Sequence, residues 1–315
     1  MPRKLRILTW HVHGNYLFNL TQVPHDFYVL ADELRSPGYA GRAGTLPWGE
    51  NVIELPVSEL PRAEFDCVLY QSRTHWEHER EHLLTTEQER LPAIYLEHDP
   101  PQEHPTSTRH FVRDRNTLVV HVTPFNRLMW DTGDTPATVV EHGVMLPKPA
   151  RYTGELERGI TVVNNLAARG RRLGHDVYCR AREQVPLDLV GMDSKRAGGL
   201  GEIENTALAA FASRYRFFFN PIRWTSLGLS VVEAMMVGLP IVALATTEMV
   251  TVIRNGENGY VDTRIDRLVE HMHRLLEDPQ EARRLGDNAR RYAESRFGIE
   301  RFVHDWMQVF DAVTS

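Results

Sequence analysis

Short apolar runs alternate with longer segments of helical periodicity along the first part of the chain. The apolar runs are nearly continuous rather than alternating, which is typical of parallel strands buried on both faces of a sheet. The strands predicted from these runs cover residues 5–10, 27–30, 51–55, 66–70, 93–96, 118–122 and 138–140. Because helix-like segments separate them, the pattern predicts a βαβ domain.

A second series of the same kind follows Pro147-Lys148-Pro149, which is the best linker candidate because consecutive prolines end regular structure. Its predicted strands cover residues 159–164, 187–191, 216–220 and 241–245. We therefore predict an α/β protein with two Rossmann-like doubly wound domains, residues 1–147 and 148–315. Whether the last helix returns to the first domain is left open.

Helices are predicted where apolar residues recur on one face. Residues 74–90 are rich in Glu, His and Leu, which predicts an exposed helix. A further helix is predicted over residues 229–237. Gly238 stands where a left-handed cap is needed, and Pro240 prevents the helix from continuing. Apolar positions from Ile265 to Leu276 and from Phe302 to Val313 predict an amphipathic helical tail.

Composition narrows the class of protein. The chain has 315 residues, enough for two domains, and a formal net charge of -6, which argues against a mainly electrostatic grip on nucleic acid. Its two cysteines, Cys67 and Cys179, are expected to be buried free thiols. No apolar stretch approaches the ~20 residues that span a bilayer. We expect a cytoplasmic protein and leave peripheral membrane contact open.

The most informative stretch runs from Phe217 to Val242, and it reads as a strand, a loop of small residues and a helix. Such a helix begins at the carboxyl end of the sheet and presents unpaired amides, which suit a diphosphate. Glu233 lies about one turn into this helix. A carboxylate there fits an acceptor for ribose hydroxyls, and on spacing alone a solvated helix face is an equal alternative.

Residues 233–242, followed by Asn255-Gly256-Glu257-Asn258-Gly259-Tyr260-Val261, resemble the C-terminal domain of family 4 retaining glycosyltransferases. The resemblance extends to Gly143-Val144 and to the helices after Asp262. It implies the GT-B fold, with a cleft between two domains, and transfer of a sugar from a nucleotide-sugar to an acceptor hydroxyl with retention of configuration. We expect that no metal is required, because the helix start and nearby arginines can stabilise the departing diphosphate. We also expect no cofactor and a UDP- or GDP-linked donor.

The family motif has two glutamates separated by seven residues, and the second falls on Glu233, which implies contact with the donor ribose. The loop before it, Thr225-Ser226-Leu227-Gly228, is implied to lie along the sugar and diphosphate. The first glutamate falls on Thr225, which is neutral and shorter, so a non-catalytic nucleotide-sugar-binding protein is the alternative. The resemblance also implies a diphosphate contact by Arg169 or Arg172, between which the sequence does not choose.

In the first domain, His98 follows a predicted strand and is held in Glu97-His98-Asp99-Pro100-Pro101. It resembles the family histidine that contacts the donor sugar, which implies a catalytic role, whereas a lone histidine at a strand end is more often a structural partner. His13, Gly14 and Asn15 lie where the family has a loop facing acceptor and phosphate.

A metal-dependent amidohydrolase is the rival enzyme class. His11 and His13 stand one residue apart at the end of the first strand, as in the metal sites of amidohydrolases. Further histidines could complete such a site: His98, His104, His121 and His142. This alternative requires a closed eightfold barrel, which the linker and the helix around Glu233 do not suggest.

Overall fold

The computed structural model describes residues 3–315, which form two compact units. The first unit comprises the residues up to Gly143 together with Ile299–Ser315, and the second comprises Val144–Gly298. The chain enters the second unit slightly before the predicted boundary at residue 147. The reason is local: the Val144 amide already donates to the Phe297 carbonyl (2.9 Å).

The first unit contains a seven-stranded parallel sheet in the order β3-β2-β1-β4-β5-β6-β7. Its strands are β1 (Arg6–Thr9), β2 (Asp26–Ala31), β3 (Val52–Pro56), β4 (Cys67–Tyr70), β5 (Ala93–Glu97), β6 (Thr117–His121) and β7 (Ala137–Val139). The strand order reverses between β1 and β4, which pair directly. Ligands of open α/β sheets bind at the carboxyl ends of the strands at such a switch point.

The helices of the first unit before residue 143 are short: α1 (Gly14–Leu20), α2 (Arg80–Leu83), α3 (Thr86–Glu89) and α4 (Pro124–Met129). The prediction of a single helix over residues 74–90 is therefore wrong. A π-helical turn covers His75–Glu79, and Leu84 is extended. Thr85 and Gln88 then form a capping box, each side chain accepting from the other's amide, which starts a new helix.

The second unit contains a five-stranded parallel sheet in the order β12-β11-β10-β8-β9. Its strands are β8 (Leu156–Val162), β9 (Leu187–Val190), β10 (Tyr215–Asn220), β11 (Ile241–Leu244) and β12 (Gly259–Asp262). Here the switch point lies between β8 and β10. Two open, parallel, doubly wound sheets confirm the predicted fold class. The amidohydrolase alternative required a closed barrel, so it loses its structural basis.

The helices of the second unit are α5 (Leu166–Arg169), α6 (His175–Arg182), α7 (Asn205–Ala212), α8 (Leu229–Val237), α9 (Met249–Val252), α10 (Ile265–Glu277) and α11 (Pro279–Phe297). The prediction for the end of α8 is confirmed, since Gly238 adopts the left-handed conformation (φ 99°). The core is mainly apolar, and Arg216 in β10 is one of its buried polar side chains. Its guanidinium is buried and donates to the carbonyls of Gly154 (3.0 Å) and Leu276 (2.7 Å).

The last helix, α12 (Ile299–Thr314), packs within the first unit. Its apolar stripe is buried there, and the Trp306 indole donates to the hydroxyl of Tyr16 (3.2 Å). Gly143 lies against Phe302, where a Cβ at residue 143 would overlap the phenylalanine side chain. The guanidinium of Arg301 donates to the backbone carbonyl of Glu141 (3.1 Å). The helix therefore completes the core of the first unit.

The two cysteines differ. Cys67 is buried in β4, as expected, whereas Cys179 is exposed on α6, so the expectation of burial is wrong for Cys179. Cys179 lies on the solvent side of a helix whose apolar face is formed by Val177, Tyr178 and Ala181. Among the helices of residues 3–315, none is long and apolar enough to cross a membrane.

The side chain of one buried histidine of the first unit, His121, makes no hydrogen bond within residues 3–315. His121 ends β6 with its side chain fully buried, and neither ring nitrogen has a hydrogen-bond partner within residues 3–315. Burial, with smaller contributions from His110 and Arg127, lowers the pKa of His121 from 6.5 to about 3. The folded state therefore holds this ring neutral at pH values where the unfolded chain protonates it.

His121→Leu is expected to reduce the loss of stability in acid. Because the folded-state pKa lies below the unfolded one, wild-type stability falls as pH drops from 6.5 towards 3, by ~2 kcal/mol at pH 5 from this group. The leucine variant should be nearly as stable as wild type at pH 8 and more stable at pH 5. Urea unfolding at both pH values measures this, with the exposed His273→Leu as control. Parallel pH profiles for wild type and His121→Leu would contradict it.

Candidate functional site

In the second unit, the loop of residues 221–228 connects the carboxyl end of β10 to the start of α8. Gly228 precedes the helix and has no side chain to cap the first amides of α8. These amides and the helix dipole favour a negatively charged group at this end of the helix. The loop lies at the switch point of its sheet, where an open α/β fold binds ligands.

Hydrogen bonds hold this loop against the loop that follows β8. The amides of Arg223 and Trp224 both donate to the carbonyl of Arg172 (3.1 and 3.2 Å). The Arg223 guanidinium also forms a bidentate ion pair with the Asp176 carboxylate, with Nη1–Oδ1 at 2.5 Å and Nη2–Oδ2 at 2.8 Å. This pairing holds the pKa of the Asp176 carboxyl below its usual value. Arg223 is thus a scaffold residue that fixes the loop.

The neighbouring loops are joined to the same assembly. After β8, the side-chain oxygen of Asn164 accepts from the amide of Met192 (2.9 Å), which follows β9. After β11, the Thr246 hydroxyl donates to the carbonyl of Ile222 (2.8 Å). The loops after β8, β9, β10 and β11 therefore form one connected rim at the carboxyl edge, which we call the second-unit rim: residues 163–174, 191–202, 221–228 and 245–248.

The structure brings several predicted residues together on this rim. Thr225, Ser226 and Gly228 are partly buried in the loop, while Leu227 points into the core with 2% of its surface exposed. Leu227 therefore supports the loop through packing. Glu233 is partly buried on α8, one turn into the helix as predicted.

The two candidate arginines lie on the loop after β8. Arg169 ends α5 and is exposed, whereas Arg172 is partly buried and its backbone carbonyl binds the loop of residues 221–228. The sequence left the choice between them open. The backbone contacts place Arg172 directly beside the strand–helix loop.

Gly174→Ala is expected to destabilise the protein by about 2–4 kcal/mol and to disturb the second-unit rim. Gly174 has φ +80°, and a Cβ there would overlap the carbonyl oxygen of Pro221. The strain of the left-handed backbone and the clash therefore add. Gly170→Ala is the matched control, because Gly170 also has positive φ (+55°) but no atom within 4 Å of an added Cβ. Equal losses of unfolding free energy for Gly174→Ala and Gly170→Ala, measured in urea, would contradict this prediction. They would show that the backbone at Pro221 shifts without cost to accommodate the Cβ.

In the first unit, His98 lies directly after β5, partly exposed at the carboxyl edge. Its ring meets the ring of Tyr16 edge to face (4.9 Å between centroids, 89°) and lies 4.1 Å from that of His13. Its Nε2 faces Oε1 of Gln71 at 3.3 Å. Burial among these groups, together with repulsion from His13 and His142, lowers the pKa of His98 well below its usual value.

The backbone around His98 is fixed by Glu97, His110 and Asn126. Glu97 and His110 form a buried pair with Oε2–Nε2 at 3.1 Å, and the other carboxyl oxygen of Glu97 accepts from the Asp99 amide. Asn126 donates its side-chain amide to the His98 carbonyl (3.2 Å). Burial raises the pKa of Glu97. The Glu-His-Asp context of His98 was visible in the sequence, but the partner His110 was not.

His13, Gly14 and Asn15 start α1, also at the carboxyl edge. β1 ends at Thr9, so His11 and His13 do not lie on a continuation of this strand. His11 instead bonds through Nδ1 to the carbonyl of Gly41 (2.6 Å) and lies over Gly14, where a Cβ would come 3.0 Å from its ring. Within residues 3–315, no three His, Cys, Asp or Glu side chains are grouped to hold a metal ion.

The family model of glycosyl transferases group 1 matches residues 195–292, which include the loop of residues 221–228 and Glu233. The match lies wholly within the second unit. This confirms the resemblance drawn from residues 233–242 and 255–261.

Known proteins agree with this assignment. An MMP alpha-(1->4)-mannosyltransferase of Mycolicibacterium hassiacum is 34% identical over 118 residues, which are 36% of this chain and 28% of that protein. The chain spans between 22% and 28% of the length of the three curated relatives it matches.

Solved structures that resemble the whole chain include the following two. Sucrose-phosphate synthase from Thermosynechococcus elongatus has a TM-score of 0.71 at 16% identity and covers 99% of both chains. HepE of Anabaena in complex with UDP-glucose has a TM-score of 0.69 at 14% identity, covering 98% of this chain and 100% of that one. At such identities the likeness shows the GT-B fold alone.

The group 1 glycosyltransferase match does not reach every candidate residue. Arg169 and Arg172 precede residue 195, and His13 and His98 lie in the first unit. These four assignments therefore rest on the geometry of the two carboxyl edges. Glu233 and the loop of residues 221–228 rest on both the geometry and the family match.

Proposed function

We propose that this protein transfers a sugar from a nucleotide-sugar to an acceptor hydroxyl. The observation that carries the proposal is the family match over residues 195–292, because it covers the strand–loop–helix element whose helix start lies on the second-unit rim. The whole-chain likeness to HepE, whose structures hold UDP and UDP-glucose, supports a nucleotide-sugar as the donor.

In this proposal, Glu233 accepts hydrogen bonds from the donor ribose, and the start of α8 with Arg172 holds the diphosphate. A guanidinium offers a planar pair of N–H groups that match phosphate oxygens, and backbone amides stabilise the charge of the departing diphosphate. Because these groups are all supplied by the protein, transfer proceeds without a metal ion. Thr225 and Ser226 lie along the sugar.

The first unit supplies His98 for the transferred sugar, and His13, Gly14 and Asn15 form the loop for acceptor or phosphate. We propose transfer with retention of the anomeric configuration. A neutral His98 suits a hydrogen bond to a sugar hydroxyl, because its lowered pKa keeps the imidazole uncharged near pH 7. A UDP- or GDP-linked sugar is the proposed donor.

The proposal is tested with a panel of UDP-, GDP- and ADP-sugars. Thermal-shift measurements identify which nucleotide stabilises the protein, and chromatography then follows release of the nucleoside diphosphate with and without acceptor sugars. We expect stabilisation by one base and release of its diphosphate in the presence of EDTA. Binding without any release on every donor would favour the non-catalytic binding protein, and no binding at all would reject the proposal.

Thr225→Glu is expected to change the preferred donor sugar several-fold while leaving affinity for the bare nucleotide nearly constant. Thr225 lies in the loop where the family's first glutamate stands, and a hydroxyl both donates and accepts whereas a carboxylate only accepts. Competition between donor sugars measures the preference, and calorimetry with the nucleoside diphosphate measures the affinity. Identical preferences in variant and wild type would show that Thr225 does not face the sugar.

A further inference from the structure

Gln71 occupies the switch point of the first sheet. It follows β4 directly, between Trp10 at the end of β1 and His98 at the end of β5, and only 4% of its surface is exposed. A buried side-chain amide must satisfy both its N–H groups and its oxygen. The partners of Gln71 therefore decide which way its amide points.

The NH2 group of Gln71 points towards β1. Its Nε2 lies 3.2 Å from the backbone oxygen of Trp10, which can only accept, and 3.1 Å from the hydroxyl of Thr9. That hydroxyl gives its own hydrogen to the carbonyl of Leu69 (2.9 Å), so its oxygen is an acceptor for Gln71. The reverse orientation would set the amide oxygen against two acceptors.

Oε1 of Gln71 consequently faces Nε2 of His98, at 3.3 Å. An amide oxygen cannot donate, so this contact is a hydrogen bond only when Nε2 carries a hydrogen. The pKa of His98 lies well below its usual value, so the ring is neutral near pH 7 and has one N–H group. With that hydrogen on Nε2, Nδ1 keeps its lone pair.

We propose that Gln71 is a positioning residue that fixes His98 as its Nε2–H tautomer and presents Nδ1 as a hydrogen-bond acceptor for a ligand hydroxyl. The identity of that ligand as the transferred sugar rests on the proposed function, whereas the tautomer does not. A polyhydroxylated ligand therefore donates to His98, and a donor sugar lacking the contacted hydroxyl binds less well in the transition state.

Two further contacts of His98 hold the residue in place. Asn126 holds the His98 carbonyl at 3.2 Å, and the Tyr16 ring stands perpendicular to the imidazole. Neither contact selects a tautomer, because the first involves the backbone and the second a ring face or edge. Gln71 is the residue that makes the chemical choice between the two nitrogens.

The test is the imidazole nitrogen spectrum of the full chain labelled with ¹⁵N-histidine. The chain has 15 histidines, so the His98 signals are assigned by their loss in His98→Asn. Two-bond proton–nitrogen correlations distinguish Nε2–H from Nδ1–H. We expect wild type to show Nε2–H alone. An Nδ1–H or charged His98 ring at pH 7.5 would overturn the proposal without any enzymatic assay.

Gln71→Met removes the amide while nearly keeping the shape, and it should give His98 a mixture of tautomers. Gln71→Leu also removes the amide and should give the same mixture, and it serves as the second variant if methionine prevents folding. Gln88→Met is the matched control, since Gln88 is also buried and donates to two carbonyls, those of Leu60 and Ala63. An unchanged His98 spectrum in folded Gln71→Met would contradict the proposal.

Kinetics connect the tautomer to the reaction. With the donor found in the panel, Gln71→Met should lower kcat roughly tenfold, the effect of one lost hydrogen bond, and leave the Kd for the free nucleoside diphosphate unchanged. Gln71→Leu should show a similar loss, and Gln88→Met should keep the wild-type kcat. Equal kcat in Gln71→Met and wild type would overturn the link to catalysis. If wild type transfers no sugar, the proposed function fails while the spectrum still decides the tautomer.

Discussion

His98→Ala is expected to lower kcat about 100-fold and to change the Kd for the free nucleoside diphosphate less than twofold. The imidazole contacts the transferred sugar in our proposal, so its loss removes stabilisation realised in the transition state and leaves nucleotide contacts intact. The backbone of residue 98 is held by Asn126 and the neighbouring Glu97–His110 pair, so the alanine variant should keep its fold. Steady-state kinetics and calorimetry measure the two quantities.

His82→Ala is the control for His98→Ala, because His82 is exposed on α2, away from the switch point. It should behave as wild type in both measurements. A parallel fall of kcat and nucleotide affinity in His98→Ala would assign His98 a structural role. Circular dichroism and the unfolding midpoint establish whether such a fall reflects misfolding.

Glu233→Ala is expected to weaken binding of the nucleoside diphosphate by 10- to 100-fold, since a charge-assisted hydrogen bond contributes about 1.5–3 kcal/mol. Glu233 is partly buried on α8, whose core contacts come from Val231, Val232 and Met235. The substitution should therefore leave the free energy of unfolding nearly unchanged. Isothermal calorimetry at fixed salt concentration measures the affinity.

Glu270→Ala removes a carboxylate of the same unit that pairs with Arg267 on the exposed face of α10, and it should leave affinity unchanged. Glu233→Gln tests the charge itself, and it should lie between wild type and Glu233→Ala. A ribose role for Glu233 is rejected if the alanine variant binds the 2′-deoxynucleotide and the ribonucleotide with the affinities of wild type.

The parts of the fold that were predicted from sequence are those fixed by local pattern. Phe217, Phe218 and Phe219 form a continuous apolar run, and this run is the buried strand β10. Gly238 ends α8 in the left-handed conformation, which glycine adopts without strain because it has no Cβ. The wrong prediction of a single helix over residues 74–90 also has a local cause. The capping box at Thr85 divides a segment whose composition favours one helix.

The candidate site residues were predicted from motifs, whereas the residues that hold them in place were not predicted. Gln71 lies 27 residues before His98, and the reason for its amide becomes visible only when β1, β4 and β5 lie side by side. Arg223 and Asp176 are likewise distant in sequence and meet through two loops at the switch point. Motifs predict which side chains face a ligand, whereas the long-range hydrogen bonds that hold those side chains depend on the order of the strands.

The return of α12 to the first unit has a consequence for synthesis of the protein. The second unit is one continuous segment, Val144–Gly298, and can fold as soon as that segment has left the ribosome. The first unit must wait with an open core until Phe302, Trp306 and Phe310 emerge, since these three side chains are fully buried in it. The unit translated first is thus the one finished last, and during that interval the apolar surface that α12 will cover stays exposed to solvent.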